Sequence, residues 1–178
     1  MPVSTTEVLP PAKLIATLST PHIEQGPDGP VTESSSYPGG CGYQWAQQDL
    51  PELSGLFQQS IQQLQPEAQA YAFAFGENCV LADGSVDRFI PMETDFNITL
   101  QVTDLANQDE LGDWIIKVMQ AIENLPPDQI IGPRPGRVGI IFQSDSDRIG
   151  ISFYIDQYRA LPVGLSNAEI FQQLQTPQ

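Results

Sequence analysis

The sequence predicts an α+β fold: a two-layer sandwich whose antiparallel sheet of about four strands, built from two hairpins, carries helices on one face. The expected order is α-ββ-α-ββ-α. Three observations predict it. Apolar residues recur at helical spacing in three stretches, each with a start signal and two with a proline stop. Between them lie two pairs of alternating apolar and polar runs, joined by Asp/Gly/Ser turns. Two hairpins with one apolar face each bury it most simply by merging into one sheet under the helices.

The 178 residues divide into a flexible tail or stalk, 1–40, and a single globular domain, 41–178. Seven of the 16 prolines fall in the tail, with Pro10-Pro11, Gly26-Pro27-Asp28-Gly29-Pro30 and Ser34-Ser35-Ser36. Proline lacks a backbone donor and glycine and serine favour turns, so such a run builds neither helix nor central strand. A short apolar piece, Lys13-Leu14-Ile15-Ala16-Thr17-Leu18, has the pattern of an edge strand at most.

Leu53, Leu56, Phe57, Ile61 and Leu64 then mark the first helix, with Pro51 in its first turn and Pro66 closing it. In the first strand Tyr71, Phe73 and Phe75 share one face, and the small Ala70, Ala72 and Ala74 on the other imply close packing there. Asp83-Gly84 turns the chain into a strand with Phe96, Ile98, Leu100 and Val102 alternating with Asp95, Asn97, Thr99 and Gln101. Asn107 and Glu110 have capping-box spacing before the stripe Leu111, Trp114, Ile115, Val118, Met119, Ile122 and Leu125, and Pro126-Pro127 stops that helix. The second hairpin places Val138, Ile140 and Phe142 against Ile149, Ile151, Phe153 and Ile155, turning at Ser144-Asp145-Ser146-Asp147. Ser166 and Glu169 open a last short helix.

Composition narrows the function. Twenty-two acidic residues against seven Lys and Arg give a net charge of -15, which argues against a nucleic-acid backbone or an anionic membrane surface as partner. No apolar run approaches the roughly 18 residues of a transmembrane segment, and the chain opens without a signal-peptide pattern. Charged residues make up only 16%, and glutamine fills the gap, which reads as a surface solvated by amides. Cys41 and Cys79 are compatible with one disulfide or with two buried thiols.

Two strings, Phe75-Gly76-Glu77-Asn78-Cys79 and Met92-Glu93-Thr94-Asp95-Phe96, together with Gly164-Leu165-Ser166-Asn167-Ala168-Glu169, resemble uncharacterised bacterial lipoprotein-type domains. That resemblance spans roughly 41–175 and brings no activity. It implies an exported protein, extracytoplasmic or tethered at the cell surface by a low-complexity stalk.

Chemistry has few footholds. The single histidine, His22, lies in the tail, which removes ordinary Ser-His-Asp or Cys-His catalysis and histidine-based metal sites. Gly132-Pro133-Arg134-Pro135-Gly136 lacks the lysine of a phosphate loop. No cofactor or metal is expected. Glu77, Glu93 and Asp95 are the remaining candidates; Glu93 and Asp95 leave one strand face together, and the facing of Glu77 depends on Gly76. They read as solvated carboxylates before a cation site or an acid/base pair. Asp83-Gly84-Ser85-Val86-Asp87 and Asp145-Ser146-Asp147 read as turn chemistry rather than calcium loops. Tyr154 and Tyr158 flank Asp156 on what is expected to be the outer face of the last strand.

The expectation is therefore a non-enzymatic, exported binding domain with an unknown protein or surface ligand. Its recognition surface would be the polar outer face of the sheet, at Glu77, Glu93, Asp95, Asn97, Thr99, Gln101, Ser152 and Tyr154. An acidic inhibitor or immunity-type protein that masks a basic partner is the second reading. A small carboxylate-dependent hydrolase is the third.

Overall fold

The structure, a computed structural model, describes residues 40–175. The expected tail, apart from Gly40, and its 13–18 edge strand lie outside the described residues. Five strands form one sheet in the order β1 (Gly42–Asp49), β2 (Gln69–Val80), β3 (Val86–Gln101), β4 (Arg137–Ser144), β5 (Asp147–Tyr154). The helices are α1 (Pro51–Leu64), α2 (Gln108–Glu123), α3 (Ile155–Arg159) and α4 (Asn167–Gln175). The α+β class holds, but the order is β-α-ββ-α-ββ-α-α.

Two expectations about the sheet are corrected. It has five strands, because 42–49 forms an edge strand antiparallel to β2, from Gly42 opposite Val80 to Asp49 opposite Phe73. None of its residues is buried and only Ala46 is half-buried, so the run carries no apolar face for a pattern to reveal. Nor is the sheet wholly antiparallel. The β2–β3 and β4–β5 hairpins join through a parallel β3–β4 pair, Phe96 to Gln101 against Val138 to Gln143. α2 and the segment after it carry the chain back, so β4 starts beside Phe96, midway along β3, and runs in the same direction.

The core lies between one sheet face and the helices. Ala70, Ala72, Phe96, Ile98, Leu100, Val138, Ile140, Phe142, Ile151 and Phe153 point into it. From α1 come Leu53, Phe57 and Ile61, and from α2 Leu111, Ile115, Val118, Met119 and Ile122. Phe57 meets Phe96 edge-on at 5.1 Å between centroids, and Phe171 of α4 meets Phe142 at 6.3 Å. The β2 alanines let α1 approach closely, as their size implied. Gly112 does the same between helices: a Cβ there would lie 1.8 Å from the Asn167 carbonyl oxygen.

Glutamine does more than solvate. β1 ends opposite Phe73, which leaves the edge of β2 beyond it without a strand. Side chains of α1, one turn apart, take that place. Ser54 Oγ accepts from Ala72 N–H (2.9 Å) and donates to Ala72 C=O (2.8 Å). Gln58 accepts from Ala70 N–H (2.5 Å) and donates to Ala68 C=O (2.9 Å). Gln65 likewise accepts from the N–H and donates to the C=O of Gln101, both at 2.7 Å. A primary amide carries the donor and acceptor of a peptide group, so it can occupy a ladder position.

The turns follow their residues. Gly84 has φ +83° and Asp83 Oδ1 accepts from Ser85 N–H and Oγ–H, a local turn that spends the carboxylate and lowers its pKa. Asp145 takes φ +49° in the two-residue β4–β5 turn. Ser166 and Glu169 form the full capping box, whereas Asn107 caps α2 while Glu110 turns aside to the Thr103 hydroxyl at 2.8 Å.

Candidate functional site

Among the described residues, no helix covers the other face of the sheet. Alternation sends Phe73 and Phe75 of β2, Asp95 and Asn97 of β3, and Ser152 and Tyr154 of β5 to this side, opposite the core residues beside them. Two rows cross it. Tyr71, Asn97, Gly139 and Ser152 stand opposite one another on four successive strands. In the next row Asp95 faces Phe73 and Arg137 faces Tyr154. Gly139 keeps the floor low, since a Cβ there would lie 2.6 Å from Asn97 Oδ1.

The strand register alone does not bring the charges together; the 132–136 loop does. Gly132 takes φ +100° and a Cβ on it would lie 2.5 Å from Glu93 N, while one on Gly136 would lie 1.7 Å from Thr94 O. Thr94, 1% exposed, holds the preceding residue through its hydroxyl, which donates to Ile131 C=O (2.7 Å) and accepts from Ile131 N–H (2.9 Å). The glycines thus serve contact with β3 rather than an anion. Arg134 N–H donates to Met92 C=O (3.1 Å), and its guanidinium lies 3.7 Å from Glu93.

Glu93 is only 7% exposed, so it is not the solvated carboxylate expected for an outer face. Asp95 is part-buried; desolvation pushes its pKa above the ordinary 3.8, opposed by the Arg137 N–H that donates to Oδ1 at 2.7 Å and by the Arg137 charge. The Arg137 guanidinium donates to Tyr154 Oη (3.1 Å), which raises its pKa, and lies 4.9 Å from the Tyr154 ring centroid.

These groups surround a depression of about 400 Å³ bounded by Gln47, Phe73, Phe75, Asp95, Arg137 and Ser152. It adjoins a slot of about 630 Å³ between Trp45 and the Arg134-Pro135 loop, the two sharing Phe75, Glu93 and Tyr154. Trp45 stacks on Phe75 at 5.3 Å with 12° between planes, yet stays 65% exposed. A hollow of about 520 Å³ beyond β5 meets the same site at Arg137, Ser152 and Tyr154.

Comparison with protein-family models, curated proteins and solved structures finds no match. The chemistry of this face alone carries the functional reading.

Five of the eight expected surface residues, Glu93, Asp95, Asn97, Ser152 and Tyr154, line the depression. Glu77 lies outside it, opposite Trp45 and Ile90, beyond a bulge where Phe75 pairs with Glu93 but Gly76 with Pro91. Thr99 and Gln101 continue along β3, away from it. The expected outer-face set on the last strand is corrected. β5 ends at Tyr154, and Ile155 enters α3, whose start is tied by Gln157 Oε1 accepting from Tyr154 N–H (2.6 Å). Tyr158 therefore packs against the core, and Tyr154 alone of the pair reaches the open face. Trp45, Phe75, Arg134 and Arg137 were not singled out from sequence. Their signals were present: Tyr43 and Trp45 lie two apart, as on one face of a strand, and Arg134 and Arg137 are two of only seven cations.

Cys41 and Cys79 are bonded, with Cα atoms 5.2 Å apart. No helix among the described residues is long and apolar enough to cross a membrane. Among them, no three His, Cys, Asp or Glu side chains converge on a possible metal position.

Proposed function

We propose that this is a non-catalytic binding domain that takes its ligand in the depression on the sheet face opposite the core. One observation carries the reading: an exposed indole stacked on Phe75 borders the buried Glu93 and part-buried Asp95, each held by an exposed arginine, Glu93 by the Arg134 guanidinium and Asp95 by the Arg137 N–H. Aromatic surface beside fixed polar groups is the chemistry of a recognition site. Both carboxylates already have partners, Glu93 the Arg134 guanidinium and Asp95 the Arg137 N–H, which favours holding a ligand over transferring protons. The Cys41–Cys79 bond supports export, since disulfides persist in oxidising compartments. The lipoprotein-type resemblance supplies the accompanying idea of a surface tether.

Amide NMR with a chemically mixed fragment library tests the site. Shifts clustering at Phe73, Glu93, Asp95, Arg137 and Ser152, abolished by Gly139→Leu, support it. Shifts elsewhere, or none, refute it, and chemical conversion of a bound fragment refutes the non-catalytic part. The second reading, an acidic inhibitor of a basic partner, rests on the -15 charge and requires binding that collapses with salt.

A further inference from the structure

The geometry points to a neutral oligosaccharide of pyranose rings as the ligand of this face, an inference that rests on the binding-site reading above. The first argument is shape. Tyr71, Phe73 and Phe75 alternate along β2 and Trp45 extends them at one end, giving an aromatic track on the strand. At about 3.4 Å per residue, Tyr71 to Phe75 alone spans roughly 14 Å. Tyr71 is 55% exposed and Trp45 65%, so both ends of the track present rings to solvent. A pyranose with equatorial hydroxyls has flat C–H faces that stack on such rings, and a track longer than one ring suits a chain of them.

Charge supplies the second argument. A chain of net charge -15 places two of its seven cations here. Arg134 sets its guanidinium beside Glu93, and Arg137 gives its N–H to Asp95 and its guanidinium to Tyr154. Glu93 and Asp95 thus stand against two guanidiniums, and these four groups carry no excess charge of either sign. Only Glu93 and Arg134 pair directly, but Arg137 lies near enough to Asp95 and Glu93 to feel both charges, so a charged ligand of either sign gains from one neighbour what it loses to the other. A purely apolar ligand would strip water from Asp95, Asn97 and Ser152 without replacing its hydrogen bonds. Sugar hydroxyls donate and accept at once, which suits a floor of mixed donors and acceptors.

The test titrates the full, oxidised chain with cellohexaose, chitohexaose, xylohexaose and mannohexaose, alongside hexalysine and a heparin-derived hexasaccharide. At least one neutral hexaose should shift the Phe75, Asp95 and Arg137 amides, with affinity changing less than about twofold between 50 and 500 mM salt. Trp45→Ala should weaken it about tenfold, while loss of its stacking on Phe75 lowers the melting temperature by no more than about 5 °C and leaves the amide spectrum outside β1 unchanged. Tyr71→Ala should weaken the hexaose but not the matching disaccharide. If hexalysine or the heparin fragment shifts these amides and no neutral hexaose does, the ligand class is wrong and the site reading stands. If no probe or fragment shifts them, both fail.

Discussion

Breaking the Cys41–Cys79 bond should cost this domain much of its stability, and the amount follows from the chain it closes. The two cysteines are 38 residues apart in sequence. In the chain-entropy model a loop of that size confines the unfolded chain by about 13 cal/mol/K, or about 4 kcal/mol at 25 °C. For about 135 ordered residues the melting entropy is near 0.29 kcal/mol/K, so the melting temperature should fall by about 14 °C. The effect should concentrate at β1, which has no buried residue and hangs on its pairing with β2, Trp45–Phe75 stacking and this bond. Reduction with dithiothreitol is the cleaner perturbation, because it leaves the buried Cys79 in place; the Cys41→Ala, Cys79→Ala double variant is the check. Calorimetry gives the melting shift, and hydrogen exchange should show Gln44 to Gln48 amides losing protection by up to about a thousandfold. A reduced protein that melts within about 3 °C of the oxidised one, with β1 still protected, would refute the loop-entropy reasoning. Because Trp45 sits on β1, reduction should also weaken any ligand held on the open face.

Four further outcomes are expected. Ser54→Ala leaves both Ala72 backbone groups without their partner at the sheet edge and should cost about 1–3 kcal/mol by urea denaturation; an unchanged midpoint would show that water replaces the hydroxyl. Gly112→Ala forces a Cβ into the Asn167 carbonyl and should cost about 1–3 kcal/mol, read as a melting shift with α4 amides exchanging fastest. Phe57→Ala, at a fully buried position against Phe96, should cost about 3–5 kcal/mol on the same assay. Asp95 has a folded pKa above 3.8, so between 3.8 and that value the folded state binds more protons and stability falls as pH rises. Asp95→Asn should therefore be more stable than the parent at pH 7 and lose that advantage below pH 3.8; a gain that persists in acid would mean burial of the charge is not its cause.

Legibility from sequence tracked how far each feature depends on neighbours in the chain. The β3 alternation from Asp95 to Val102, the α2 stripe from Leu111 to Ile122 and the Asp83-Gly84 turn are local, and each forms where its pattern lies. β1 escaped because it buries no side chain: backbone pairing, Trp45–Phe75 stacking and the neighbouring disulfide hold it, and none of these leaves a core-facing apolar pattern. The strand reading of Tyr154 to Tyr158 failed because Ile155, apolar and in phase with Phe153, is equally suited to the first buried position of a helix. Period-two spacing over one more residue cannot separate the two.

The sequence by itself determined that this protein is acidic and α+β, where the first, second and last of its helices lie, and which alternate residues of β3 share a face. Only the tertiary structure decided that β3 and β4 run parallel, that Ser54 and Gln58 finish the edge of β2, and that Glu93, Asp95, Arg134 and Arg137 gather on one face. The reason is physical. Strand direction depends on where a crossover helix lands, and a glutamine's role depends on the backbone group left without a partner beside it. Asp95 meets Arg137 across 42 residues, and Glu93 meets Arg134 only because two glycines let the 132–136 loop lie against β3. No spacing along the chain encodes those meetings; they exist once the sheet has closed.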